Sequence, residues 1–235
     1  MILRTSNDRK VSVHHGMSIG NSFGLPAGIS CPGATSVCDK VCYAKKIERM
    51  PYLKAVRDNL RHNWDTLSQA SRPEMIRLLD EMIGEWRTEC IRRGKDLKFR
   101  IHWDGDFFSA DYAIAWATVI SVYPDVQFWA YTRSFDLVGH FFGLSNLSLY
   151  LSVDSENIVK AAKTRKDFPF VRWAYLDETM ADAAEVMIAE TGKPGAMCPE
   201  NIGRIPLIEK KKGACISCNL CVAGKADIRF AVRKR

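Results

Sequence analysis

The stretch that decides the fold reads LKFRIHWDGDF, at residues 97–107. An apolar run rich in aromatic side chains ends abruptly in two carboxylates and a glycine, which is typical of a strand that runs into a loop. Runs of the same kind recur along the chain and predict four strands, at Lys98–Trp103, Val126–Thr132, Leu147–Val153 and Phe170–Leu176.

Segments with helical periodicity alternate with these strands, at about residues 110–122, 134–142, 156–166 and 179–191. Two further helices are predicted before them, at 52–69 and from Pro73 to about Arg93. A first strand before residue 30 and a last strand near Gly195–Cys198 bring the total to about six β/α units.

Alternating strands and helices predict an α/β fold with parallel strands. We expect a partial (β/α)6-type barrel with a C-terminal cysteine-rich segment, and an open doubly wound sheet is the alternative. Residues 1–197 are predicted to form the α/β domain with an N-terminal cysteine loop. Residues 198–235 are predicted to be a cluster-binding segment packed on the same domain.

Composition places the chain among globular proteins, with 235 residues, 47% of them hydrophobic and 26% charged. No apolar run approaches the roughly 18 residues that cross a bilayer, and the N-terminal residues lack the apolar core of a signal peptide. We therefore expect a cytoplasmic protein with no membrane partner. The formal charge of +7 is weak evidence for nucleic acid, because metal-bound thiolates would reduce it.

The C-terminal cysteines have the most specific spacing in the chain. Cys215, Cys218 and Cys221 follow a C-x2-C-x2-C pattern, and a Cys-Pro pair at Cys198 precedes them. Three sulfurs at this spacing surround an iron–sulfur cluster while a remote cysteine supplies the fourth ligand, as in bacterial ferredoxins. Zinc is the main alternative, although zinc ribbons use two separated C-x2-C pairs. The spacing predicts a [4Fe-4S] cluster.

Three more cysteines, Cys31, Cys38 and Cys42, lie in a loop that leads into a helix. Together they would hold three irons of a second cluster and leave the fourth iron open to a ligand. Alternatively, a single cluster draws ligands from both ends of the chain, for example from Cys38, Cys42 and two C-terminal cysteines. The sequence thus predicts one cluster or two. The eighth cysteine, Cys90, is predicted to be a buried core thiol.

Polar side chains follow three of the predicted strands. Asp104 and Asp106 follow the first, Arg133 the second and Asp154 the third. The carboxyl ends of parallel strands meet at one edge of a sheet, so these side chains should converge. Asp104, Asp106 and Arg133 are predicted to be catalytic, with helix capping as the alternative for such residues. The predicted cofactor-binding residues are Asp106, Tyr131, Ser152 and Asp154.

Several short motifs resemble a family of bacteriophage and plasmid proteins catalogued as gene product eighty-eight. The resemblance extends over most of the chain and includes the cysteine-rich C-terminal segment. It implies phage origin and action in the host cytoplasm, and little about chemistry. The motifs that carry it are Ser22–Ala27, Cys31–Gly33, Cys42–Ala44, Arg100–His102, Gly105–Phe107 and Ala130–Arg133.

The pattern also resembles, more distantly, the radical S-adenosylmethionine (SAM) enzymes. These are partial barrels with three cysteines in the loop after the first strand, where Cys31, Cys38 and Cys42 stand here. The resemblance implies that Asp106 takes the place of an acidic residue that contacts the SAM amine. The cysteine spacing departs from the usual C-x3-C-x2-C, and Tyr43 follows the last cysteine instead of preceding it.

Three functions remain open from the sequence. The first is a redox or radical-SAM-like enzyme acting on a small molecule, in which Arg133 suits a carboxylate or phosphate. The second is a non-enzymatic iron–sulfur or zinc protein that binds nucleic acid or a host regulatory protein through basic stretches at Lys210–Lys212 and Arg229–Arg235. The third is an electron carrier, or a structural protein stabilised by its cluster.

Overall fold

The computed structural model describes residues 2–12, 20–209 and 212–232. Its main feature is a seven-stranded sheet in which every neighbouring pair of strands is parallel, with the order β1-β2-β3-β4-β5-β9-β6. The other two strands, β7 and β8, form a separate antiparallel pair. The strands are β1 (Ser22–Gly24), β2 (Lys98–Asp104), β3 (Gln127–Thr132), β4 (Leu147–Val153), β5 (Arg172–Asp177), β6 (Ala196–Met197), β7 (Ile208–Glu209), β8 (Lys212–Gly213) and β9 (Ile228–Ala231).

Helices connect the strands as the sequence predicts. Short 3-10 helices lie at Pro51–Leu53 and Phe135–Phe141, and the second replaces the helix predicted at residues 134–142. The α-helices are α1 (Ser36–Val41), α2 (Tyr43–Glu48), α3 (Lys54–Leu67), α4 (Arg72–Arg92), α5 (Ala110–Val122), α6 (Ile158–Asp167), α7 (Met180–Thr191) and α8 (Ala214–Cys218).

The sheet is open, and its first five strands are neighbours in the order of the chain. Each connecting element packs on the next: α4 contacts α5, α5 contacts the 3-10 helix at Phe135–Phe141, and that helix contacts α6. These elements therefore form one layer on one face of the sheet. The expected α/β fold with parallel strands is confirmed, whereas no closed barrel is present among the described strands.

Large aromatic side chains fill the core between the sheet and this helical layer. Trp86 of α4 and Trp116 of α5 are fully buried, and both rings contact Phe99 of β2, with centroids 5.0 and 6.3 Å away. Burial of rings of this size supplies much of the hydrophobic stabilisation of a domain. Cys90, also in α4, is fully buried in the same core, which confirms its prediction as a core thiol.

The opposite face of the sheet is covered by the C-terminal segment. Three side chains of the sheet donate hydrogen bonds to backbone oxygens of that segment: Ser148 Oγ to Val222 at 2.9 Å, Tyr150 Oη to Ala226 at 3.1 Å and Arg172 Nε to Gly224 at 3.2 Å. These bonds give partners to backbone carbonyls of the segment. The segment thus lies across the middle of the sheet.

The strand β9 was not expected from the sequence, which assigned residues 198–235 to a cysteine-rich segment alone. It inserts between β5 and β6 and pairs in parallel with both, so the C-terminal segment contributes a strand to the main sheet. No helix in the described part of the chain has the length and apolar character needed to cross a membrane.

Candidate metal centre

The loop after β1 passes over the carboxyl ends of three successive strands. It leaves β1 with a hydrogen bond from Leu25 N to the carbonyl of Asp104, at the end of β2 (3.0 Å). It then passes the backbone of Arg133, after β3, and reaches Asp154, after β4, through Thr35. Cys31 lies on this loop, Cys38 lies in α1, and Cys42 lies between α1 and α2. The structure therefore brings them to the edge of the sheet where the predicted acidic and basic residues converge.

Two glycines allow this close passage. A Cβ on Gly33 would lie 2.2 Å from the carbonyl oxygen of Arg133, and a Cβ on Gly105 would lie 2.6 Å from Ser30 Oγ. Gly105 also has a φ of +82°, a conformation that other residues rarely adopt. The loop is thus packed directly against the strand ends, with no room for a side chain at either contact.

A buried ion pair anchors the loop to the sheet. Arg133 Nη1 lies 2.6 Å from Asp154 Oδ2, with side-chain exposures of 10% and 0%. The same carboxylate oxygen accepts a hydrogen bond from Thr35 Oγ1 at 2.6 Å. Thr35 in turn caps α1 by accepting a hydrogen bond from the backbone N–H of Cys38 at 3.0 Å. The position of Cys38 is therefore tied to Asp154.

Asp106 is fully engaged by protein groups. Its carboxylate accepts hydrogen bonds from Thr132 Oγ1 at 2.6 Å and from the backbone N–H groups of Arg133 and Phe107, both at 2.7 Å. Burial raises its pKa to about 6, and these three hydrogen bonds oppose the rise. In this arrangement Asp106 joins the ends of β2 and β3, and its predicted contact with a cofactor stays a prediction.

Asp104 has the opposite environment. Both of its carboxylate oxygens are buried and neither meets a hydrogen-bond partner. Burial, followed by the negative charge of Glu48, raises the pKa of Asp104 to about 9. The raised pKa favours the protonated form of Asp104, and the neighbouring Glu48 carboxylate is an acceptor for its proton.

The N-terminal cysteines lie near different charged residues at this edge of the sheet. Burial raises the pKa of Cys31 to about 12, and the charge of Asp106 adds to the rise. Burial also raises the pKa of Cys38, whereas Arg133 opposes that rise through its charge and a hydrogen bond; the charge of Cys42 adds to it. Cys38 thus lies near Cys42 and near Arg133, while Cys31 lies beside the aspartates.

The four C-terminal cysteines line one pocket. It lies against the face of the sheet opposite the helical layer, and the remainder of its lining is apolar apart from Glu200. Cys215 and Cys218 belong to α8, whereas Cys198 follows β6 directly. The lining consists of Cys198, Cys215, Cys218, Cys221, Pro199, Glu200, Ile205, Ala214, Leu220 and Ile228.

Hydrogen-bond donors lie near two of these sulfurs, those of Cys198 and Cys221. Burial raises the pKa of Cys198, and the backbone N–H groups of Asn201 and Glu200 oppose the rise. Burial raises the pKa of Cys221 to about 12, and a hydrogen bond from the hydroxyl of Tyr131 opposes it. Donors directed at cysteine sulfurs stabilise the thiolate form, which is the form that ligates iron or zinc. The donor set therefore fits a metal centre that is held by thiolates.

Arg100 lies beside the same pocket, on the middle of β2. It pairs with Asp8 at 3.4 Å, and its guanidinium stands 5.4 Å from the ring centroid of Tyr131. Burial raises the pKa of Cys215 to about 12, and the charge of Arg100 is the main influence that opposes it. The sequence did not single out Arg100 as a site residue, although a cation between Phe99 and Ile101 in an apolar strand was a usable signal.

Ser152 lies near the end of β4, and its predicted contact with a cofactor stays a prediction. Its backbone carbonyl accepts a hydrogen bond from Asn157 Nδ2 at 3.1 Å, and its side chain is partly exposed.

Within the ranges that the structure describes, no three Cys, His, Asp or Glu side chains are gathered closely enough to ligate a single metal ion as they stand. The assignment of metal ligands among the cysteines remains a prediction.

Comparison with known proteins identifies the family. The profile of the family described as Gene product 88 matches residues 1–224. The chain belongs to this family. It is 44% identical to the Gene 88 protein of Mycobacterium phage L5 and 42% identical to that of Mycobacterium phage D29, with 99% of each chain covered in both cases.

The family resemblance inferred from the short motifs is thus confirmed, and a bacteriophage origin is supported. The names of these relatives state no activity. No solved structure matches the chain. Function must therefore be argued from the residues of the Gene product 88 chain itself.

Proposed function

We propose that this Gene product 88 protein binds an iron–sulfur cluster through Cys198, Cys215, Cys218 and Cys221. The observation that carries the proposal is the single pocket that these four side chains line, with a mainly apolar surround and donors near the sulfurs of Cys198 and Cys221. A cluster held by four cysteines would supply one-electron chemistry. The predicted [4Fe-4S] type follows from the spacing of the cysteines rather than from the pocket.

The test is anaerobic purification or reconstitution, followed by iron and sulfide counting and by EPR and Mössbauer spectroscopy. We expect about four irons, or a multiple of four, with matching sulfide. Cys215→Ala should lose iron, whereas the matched control Cys90→Ala should retain it because Cys90 is buried in the helical core. Zinc without sulfide, or no bound metal after reconstitution, would overturn the proposal.

A redox or radical-SAM-like activity at the sheet edge is the second candidate. It is favoured by the order of the strands, since five successive parallel neighbours with one layer of helices suit a partial barrel. It is also favoured by the cysteine loop after β1. Asp104 would contact a bound small molecule with its carboxyl group, while Asp106 and Arg133 would keep the ends of β2, β3 and β4 in place.

This second candidate is tested by incubating the reduced, cluster-loaded protein with SAM. We expect cleavage to 5′-deoxyadenosine, and none from the triple variant of Cys31, Cys38 and Cys42. An absence of cleavage by fully loaded protein would remove SAM from the proposal and leave an electron carrier.

The nucleic-acid alternative has less support: Lys212 is paired with Asp96 at 2.9 Å, and Lys210, Lys211 and residues 233–235 lie outside the described residues.

A further inference from the structure

The four C-terminal cysteines reach their pocket from two separate parts of the chain. Cys198 follows β6 and begins a turn, in which its carbonyl accepts a hydrogen bond from the backbone N–H of Ile202 at 3.2 Å and the carbonyl of Pro199 accepts one from Arg204 at 2.8 Å. The other three cysteines lie in α8 or just after it. A site divided in this way holds four ligands at once only if its two parts are kept side by side.

Lys10 contacts both of these parts. Its ammonium Nζ lies 2.8 Å from Oε2 of Glu200, which lines the pocket two residues after Cys198. Its backbone carbonyl accepts a hydrogen bond of 2.9 Å from the backbone N–H of Cys215, near the start of α8. One residue of the N-terminal segment therefore joins the turn that begins at the remote cysteine to the helix that contains Cys215.

The turn that contains Lys10 is itself fixed to the domain. Asp8 accepts a hydrogen bond from the backbone N–H of Lys10 through Oδ1 at 3.0 Å, and one from that of Val11 through its carbonyl at 3.1 Å. Val11 is fully buried in the main core, and its carbonyl accepts a hydrogen bond from Asn21 Nδ2 at 2.5 Å. Lys10 is therefore held by contacts to the core as well as by the cysteine segment.

Strand β8 lies directly against this turn. The backbone N–H of Gly213 donates to the carbonyl of Ser12 at 2.8 Å, and a Cβ on Gly213 would lie 2.3 Å from the carbonyl oxygen of Lys10. Gly213 is the residue that precedes α8. The absence of a side chain there allows the two backbones to approach closely, and this approach brings Cys215 to Lys10.

We infer that Lys10 is a positioning residue of the C-terminal cysteine site, which keeps Cys198 and Cys215 in the relative placement that ligation of one cluster requires. The inference rests on the proposed function. The ion pair with Glu200 is the part of this contact that a side-chain substitution can test. The side chain of Lys10 is 41% exposed and that of Glu200 is 12% exposed, and a partly exposed pair of this kind favours one arrangement by up to about fivefold.

The test is the rate at which a chelator removes iron from the cluster-loaded whole chain. Lys10→Gln removes the charge and retains the backbone contact, and we expect iron loss to become about two to five times faster. Lys54→Gln is the matched control, because Lys54 pairs with Asp58 at 2.5 Å on the surface of α3, and it should leave the rate unchanged. The exchange of both charges, Lys10→Glu with Glu200→Lys, should restore most of the parent rate, whereas Lys10→Glu alone should not.

The ionic strength gives a second measurement on the same proteins. Raising it from about 0.05 M to about 0.5 M should speed iron loss from the parent protein and have little effect on Lys10→Gln, because salt screens the ion pair that only the parent contains. An equal salt dependence of the two proteins, or an equal rate of iron loss, would overturn the inference and leave the proposed function intact. No iron in the parent protein after reconstitution would defeat the proposed function, and this inference with it.

Discussion

The hydroxyl of Thr132 donates a hydrogen bond of 2.6 Å to Oδ1 of Asp106, and this bond joins the ends of β3 and β2. The same hydroxyl oxygen accepts from the backbone N–H of Ser134 at 2.9 Å. Thr132 is therefore both donor and acceptor in a buried network beneath the N-terminal cysteine loop. Such networks stabilise only while every member is satisfied.

Thr132→Val removes both interactions with little change of shape. We expect a loss of about 1–3 kcal/mol in the free energy of unfolding, because the N–H of Ser134 and one carboxylate oxygen lose a partner. Urea denaturation of variants in the same metal state measures it. The control is Thr88→Val on the exposed surface of α4, which should change stability by less than about 0.5 kcal/mol. Equal effects at both positions would count against the network.

Tyr150→Phe tests the docking of the C-terminal segment on the sheet. The hydroxyl of Tyr150 donates to the carbonyl of Ala226 at 3.1 Å, and its ring is fully buried. We expect a loss of about 0.5–1.5 kcal/mol, together with faster proteolysis within residues 219–227. Tyr52→Phe, at a residue that is 77% exposed, is the control and should change neither measurement.

Gly33→Ala tests the contact between the cysteine loop and β3. The new Cβ would lie 2.2 Å from a backbone oxygen, so the loop must move, at a cost of about 1–3 kcal/mol. We expect faster alkylation of Cys31 and Cys38 in the metal-free protein, measured by mass spectrometry. Gly143→Ala is the control, because Gly143 has a φ of +84° and open space around it. We expect this variant to lose stability through backbone strain, with no faster alkylation of Cys31 or Cys38.

His102 should contribute to the loss of stability in acid. Burial, followed by the charge of Arg100, lowers its pKa from 6.5 to about 3. Below pH 6.5 the unfolded imidazole therefore binds a proton that the folded one does not, and stability falls as the pH falls towards 3.

His102→Asn should flatten this dependence, and asparagine tolerates the φ of +59° found at this position. The slope of unfolding free energy against pH should decrease by up to about 1.4 kcal/mol per pH unit between roughly pH 6 and 4. Denaturation curves across that range measure it. If the unfolding free energies of the parent protein and the variant have the same dependence on pH, the imidazole of His102 is not the titrating group.

The sequence predicted best what depends on local pattern. Helix α5 and strand β4 have the predicted bounds, because their periodicity and flanking residues are sufficient to define them. The grouping of Asp104, Asp106 and Arg133 at one edge also followed, since parallel strands end together. These features need no knowledge of distant contacts.

Non-local contacts were not predictable in the same way. Thr35 meets Asp154 across 119 residues of chain, and Arg100 meets Asp8 across 92. The strand β9 is four residues long, includes a charged residue and has its partners far away in the sequence, so no local pattern distinguishes it. The left-handed backbone of His102 was likewise not predictable from local pattern, and its ring packs against Phe107 and Tyr112.

The position of β9 has a consequence for how the edge of the sheet forms. Strand β6 pairs only with β9 among the described strands, and the chain between them, residues 198–227, contains all four C-terminal cysteines. Closing a loop of about 30 residues carries an entropic cost, and a cross-link inside it lowers that cost. A metal bound within this loop would favour the pairing of β6 with β9. Metal uptake and completion of the sheet would therefore be thermodynamically coupled.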